Sequence, residues 1–153
     1  MNNNFMLIPL AATNKLAVAE IIKCNEITSR FGLMLSPTEA QELVDTRSKA
    51  LSSNGRIEFA GGIINKLIMR FCDSPFLSKY NYADTLNDLV ETFYYFKNET
   101  LDELDDDELL LYMKDFFDQN CRGSMELLQN RELEILARNI RYGINDEEEN
   151  YDE

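Results

Sequence analysis

Three sets of residues have the types and spacing to do chemistry. Asp84, Asp88 and Glu91 recur one helical turn apart, which lines carboxylates along one face and could offer oxygens to a hard cation. A metal cage converges from several segments, whereas a straight stripe diverges into water, so this set reads as a solvated face. The second set is the run Glu99-Thr-Leu-Asp-Glu-Leu-Asp-Asp-Asp-Glu108. It lacks the alternating acids and central glycine of a calcium loop. Thr100 with Glu103, and Asp105 with Glu108, instead fit the cap-plus-acid pattern of helix starts. The surplus charge makes Asp102, Glu103, Asp105, Asp106, Asp107 and Glu108 the candidate partner-binding ridge. The third set is Cys24, Cys72 and Cys121, odd in number and far apart. Cys24 and Cys72 fall in apolar helical patterns and read as small core side chains. Cys121 stands beside Arg122 and Gly123 at a helix end and is the one expected to be exposed.

No histidine occurs in the chain. That removes the commonest general base, the Ser-His and Cys-His nucleophile systems and the usual zinc and iron sites. No catalytic residue, cofactor or metal ligand is assigned. Two further features could bind an anion. Arg47 lies within an apolar helix face, where it reads as a side chain that pairs with a carboxylate or lays its stem along the core edge. Gly61-Gly62 precedes a helix that could receive a phosphate at its N-terminus. No Gly-x-x-x-x-Gly-Lys-Ser/Thr or Gly-x-Gly-x-x-Gly pattern accompanies it, so the glycines read as a turn.

The formal net charge of the 153 residues is −13. Such a chain offers no basic surface to displace counterions from nucleic acid and is disfavoured on anionic lipid, so neither direct nucleic-acid binding nor membrane binding is expected. A basic protein partner is electrostatically permitted. No apolar run approaches the roughly 18 residues of a membrane span. Phe5 to Ala12 is apolar but lacks a preceding basic region, which makes it a poor signal peptide. These features predict a cytoplasmic protein with reduced thiols.

The elements that must position these groups are helical. Lys15 to Phe31 predicts a first helix with Ala17, Ile21, Cys24, Ile27 and Phe31 on one face and Gly32 as its stop. Ser36-Pro-Thr-Glu39 predicts a capping box with proline in the first turn, followed by Ala40, Leu43, Val44, Ala50 and Leu51 on a face that ends near Gly55. Ile63 to Cys72 is apolar nearly all round and is expected to be the most buried helix. Pro75 stops it, Phe76 and Leu77 can plug the core, and Asn81 is a plausible cap for the next helix. Tyr82 to Phe117 predicts a helical hairpin, with Tyr82, Leu86, Leu89, Phe93 and Phe96 on one inner face and Leu109, Leu110, Met113, Phe116 and Phe117 on the other. Gly123 and Ser124 end one helix and cap another. Leu133, Leu136, Ala137, Ile140 and Ile144 mark the last helix, whose Arg131, Arg138 and Arg141 are expected to pair with the acidic hairpin and with that helix's own C-terminus.

The expected fold is all-α: a compact bundle of five to six helices, with at most a minimal strand near residues 56–60. Residues 1–144 would form a single domain, with Phe5 to Leu10 lying across the helices and 145–153 a disordered acidic tail.

The motifs Cys24-Asn-Glu, Phe31-Gly-Leu, Asn54-Gly-Arg56, Gly61-Gly-Ile, Phe71-Cys-Asp-Ser-Pro75, Phe93-Tyr-Tyr-Phe-Lys-Asn-Glu99, Asp106-Asp-Glu-Leu109 and Cys121-Arg-Gly-Ser124 carry a resemblance to a small family of uncharacterised bacterial proteins, a domain of unknown function. It spans roughly Leu16 to Ile140 and implies no activity, cofactor or catalytic residue.

Three functions fit these features. The first is a non-catalytic protein-interaction or regulatory module with an acidic surface, as a monomer or homodimer. The second is an enzyme that works through carboxylates or a cysteine. The third is an acidic mimic that occupies a basic nucleic-acid-binding surface.

Overall fold

A computed structural model describes residues 14–58 and 62–143. The expected N-terminal arm, the acidic tail, Gly61 and Ile144 lie outside the described residues. The order is α1 (14–23), α2 (Asn25–Thr28), a 3-10 turn (Ser29–Phe31), α3 (Pro37–Asn54), α4 (Ile63–Phe71), α5 (Tyr82–Glu99), α6 (Asp106–Asp115), a π turn (Phe116–Asn120), α7 (Met125–Leu127), a second π turn (Leu128–Glu132) and α8 (Leu133–Arg141). The protein is all-α, and among the described residues there is no strand. Arg56 to Glu58 is neither helix nor strand, and Phe59 and Ala60 lie outside the described residues.

The chain packs as two compact units, one through Glu91 and one from Thr92, with the boundary inside α5. In the first unit, the segment expected to be one helix is broken at Cys24. The amide of Cys24 donates to Ile21 O three residues back, which tightens the turn. Ala17 and Ile21 are buried as expected, but Ile27 and Phe31 are exposed. Thr28 is buried in their place, and its hydroxyl donates to Leu33 O at 2.7 Å. The inward face runs through 17, 21 and 28, a helical spacing that a polar threonine conceals. Asn25 then holds the linker, donating to Leu35 O and accepting from Leu35 N, both at 2.9 Å.

The capping box at α3 forms as the sequence dictates. Ser36 Oγ accepts from Glu39 N at 3.1 Å, and Glu39 Oε1 accepts from Ser36 N at 2.9 Å. Ala40, Leu43, Val44, Arg47 and Leu51 form the buried face of α3. α4 buries Ile63, Ile64, Leu67, Ile68 and Phe71, yet Lys66, Met69 and Arg70 are exposed. It is amphipathic rather than apolar all round, because Met69 shares its wet face with two cations. The Asn81 side chain turns back into the preceding loop, accepting from Ser78 N at 2.8 Å and donating to Phe76 O at 3.0 Å. Thr46 and Asn87 join α3 to the first half of α5 by a side-chain hydrogen bond.

Tyr82 anchors that half of α5. Burial pushes its phenol well above the usual range. The Thr28 hydroxyl beside it partly offsets this, but its own proton goes to Leu33 O, and the Tyr82 oxygen has no well-formed hydrogen bond.

In the second unit the core comprises Phe93, Tyr94, Phe96, Leu109, Leu110, Met113, Phe117, Leu128, Leu133 and Ala137, with Cys121 among them. Ser124 caps α7, its hydroxyl accepting from Leu127 N at 3.2 Å. Gln129 Nε2 donates to Thr92 Oγ1 at 2.7 Å, which ties the second π turn to the C-terminal half of α5.

Candidate partner-binding site

The acidic ridge begins where α5 ends. The Leu101 amide donates to Asn98 O and the Asp102 amide to Lys97 O, the paired closure of a Schellman motif. That motif needs a left-handed residue at its first position outside the helix. The same pair of bonds closes the 3-10 turn at Gly32 (φ 76) and α3 at Gly55 (φ 65), where glycine meets the demand. After α5 the position is taken by Leu101 (φ 56), and Asp102 follows at φ 57. Two consecutive left-handed residues with side chains are unfavourable backbone. Leu101 is also 62% exposed, so burial of its own side chain returns little.

A buried lysine organises the turn. Lys97 is only 9% exposed. Its Nζ donates to Leu104 O at 2.5 Å and pairs with Asp106 Oδ1 at 2.9 Å. One cation thus holds the end of α5 to the start of α6. Asp105 then caps α6, Oδ1 accepting from Glu108 N at 2.8 Å while Glu108 Oε1 accepts from Asp105 N at 3.0 Å. This box matches the sequence expectation. Thr100 does not: it is buried, and its hydroxyl donates back to Phe96 O at 2.8 Å and Lys97 O at 3.2 Å. It closes α5 instead of opening a helix with Glu103.

The six candidate acids therefore differ in role. Asp105 and Glu108 form the cap, and Asp106 is half-buried against Lys97. Asp102, Glu103 and Asp107 are exposed. Lys97 and Leu101 were not singled out in the sequence. A lysine in a last helical turn is ordinary helix chemistry, and nothing in the residue types around Leu101 announces a left-handed backbone. The one available signal was the missing glycine after a long amphipathic helix.

Asp84, Asp88 and Glu91 are exposed along one side of α5. Partial desolvation, and then the neighbouring Asp84 carboxylate, raise the Asp88 carboxyl. Cys121, expected to be exposed, is buried, because the chain turns inward between the two π turns. Burial pushes its thiol up, Glu132 adds to this, and Arg131 opposes it. Cys24 is the half-buried cysteine, and burial raises its thiol too. Neither environment favours the thiolate that a nucleophile requires. Arg131 is engaged with Glu132 at 2.7 Å and with Asn120 O at 3.0 Å. No group of three or more His, Cys, Asp or Glu among the described residues is placed to hold a metal ion. No described helix is long and apolar enough to cross a membrane.

The chain matches no curated protein and no solved structure. A family model does match residues 20–146, so the chain belongs to a family of unknown function, DUF6323.

Proposed function

We propose that the protein is a non-catalytic interaction module of the bacterial cytoplasm, and that the ridge from Asp102 to Glu108 receives a basic segment of a partner protein. The observation that carries this reading is Leu101. An exposed leucine in a left-handed conformation, next to exposed Asp102 and Glu103, is unfavourable for the folded chain. Left-handed non-glycine residues of this kind cluster at functional positions. A partner with an apolar side chain between cations would cover the leucine and pair with the acids. The Lys97 clasp and the α6 capping box hold the ridge in one geometry before binding, which lowers the ordering cost of association.

The test is affinity capture from the native cell with the wild type and with a variant carrying Asp102→Asn, Glu103→Gln and Asp107→Asn. These changes leave the Lys97 clasp and the α6 capping box intact, and urea unfolding of the variant checks that it remains folded. The expected result is a specific partner that the wild type retains at low salt, releases as salt rises and that the variant does not retain. Equal retention by the variant, or no specific partner, would end this reading.

A further inference from the structure

We propose that Arg47 and the N-terminus of α4 form a binding site for an oxyanion of the phosphate class. This proposal does not depend on the reading of the acidic ridge.

Arg47 is 2% exposed and belongs to the buried face of α3. Its Nε and Nη1 have no hydrogen-bond partner. A guanidinium does not shed its proton in a protein, and a buried cation with unmet donors is strongly unfavourable unless an anion joins it. The sequence offers it a carboxylate partner or a stem laid along the core edge; Nε and Nη1 make no hydrogen bond to a carboxylate, and the side chain is almost wholly out of water.

The free edge of this group points at the start of α4. Arg47 Nη1 lies 2.7 Å from the position that a Cβ on Gly62 would take. Gly62 has φ 50 and ψ −129, a conformation that glycine tolerates and side chains do not. The backbone therefore requires glycine here, and the missing Cβ leaves room for the side-chain ends of Arg47 and Glu58. Gly62 is the N-cap of α4 and gives no side-chain cap, and no acid stands in the first turn of this nine-residue helix. α3 and α6, in contrast, each carry a full capping box with acids in the first turn. α4 thus presents the positive end of its dipole, which attracts anions.

A carboxylate of the chain already stands at this edge. Glu58 Oε1 lies against the same Cβ position and accepts from Ile63 N at a long 3.4 Å. It touches the helix end but leaves Arg47 Nε and Nη1 unmet. A tetrahedral oxyanion directs its oxygens more widely than a planar carboxylate. It can accept from Arg47 and from the α4 amides together, displacing Glu58.

The probe is inorganic phosphate, with methyl phosphate in parallel, titrated at constant ionic strength into the full chain while backbone amide resonances are followed. The expected result is a saturable shift centred on Ile63 and Ile64. Glu58→Gln removes the competing charge and should tighten binding several-fold, whereas Arg47→Met should abolish it. Tighter binding of methyl phosphate would assign the site to phosphomonoesters, and tighter binding of phosphate to the free ion; both support the proposal. No saturable shift, or equal shifts in Arg47→Met, would overturn it. Should Arg47→Met fail to fold, unchanged affinity in Glu58→Gln would overturn it instead.

Discussion

Arg141 reaches back 42 residues to Glu99, and its Nη1 donates both to the backbone oxygen at 3.2 Å and to Oε1 at 3.0 Å. One guanidinium in the last turn of α8 therefore meets an unsatisfied carbonyl at the end of α5 and a carboxylate on the same residue. This is the pairing with the acidic hairpin that the basic character of the last helix predicts. Both side chains are partly exposed, so solvent screens the ion pair and the contribution is modest. Arg141→Ala should lower stability by about 1 kcal/mol in urea denaturation. Arg141→Lys should recover part of this, since charge near the carbonyls is kept while the two-oxygen geometry is lost. An unchanged midpoint in Arg141→Ala would show that the contact contributes nothing.

Leu101 sets stability against binding. Leu101→Gly relieves the left-handed strain at the Schellman position and removes little buried surface. The relief of about 1–2 kcal/mol is offset in part by the extra freedom of glycine in the unfolded chain. A net stabilisation of up to about 1 kcal/mol is expected in thermal or urea unfolding. The same variant should bind the partner of the acidic ridge more weakly. Leu101→Gly that is less stable than the wild type would remove the argument that this residue is kept for something other than folding.

Tyr82 makes stability fall at high pH. Its phenol is neutral and buried in the folded chain, and burial raises its pKa. The folded form thus holds its proton more tightly than the unfolded one. This contribution is intact below the unfolded value of about 10 and is lost as pH rises above it. Tyr82→Phe removes an oxygen without a well-formed hydrogen bond. At neutral pH it should change stability by less than about 1 kcal/mol, in either direction. Above pH 10 the variant should lose stability less steeply than the wild type. Unfolding curves at pH 7 and across the alkaline range test both parts. Parallel curves for the two proteins would show that Tyr82 ionises as freely folded as unfolded.

Periodicity and caps were legible in the residues themselves. The face Tyr82, Leu86, Leu89, Phe93 and Phe96 is buried throughout α5, because a 3.6-residue repeat of large apolar side chains has one favourable solution in water. Ser36 with Glu39, and Asp105 with Glu108, formed their boxes because each bond spans three residues and needs nothing from elsewhere. The absence of histidine likewise follows from composition alone.

Tertiary structure decided what depends on distant partners. Thr28 is buried and Phe31 exposed because the helix tightens at Cys24, and a polar residue with a local carbonyl to bond can enter the core. Cys121 is buried because the chain turns inward between two π turns, which no residue type marks. Lys97 holds Leu104 and Asp106 across the end of α5, converting a run of acids into a fixed turn. Arg47 and Gly62 are fifteen positions apart in the chain, and each alone is too weak a sign of an anion site; packing of α3 against α4 brings a buried cation to the start of a helix. The physical reason is common to all four. Helix formation and capping are short-range and written in neighbouring residues, whereas the burial of a charge or a thiol is set by whatever the folded chain places opposite it.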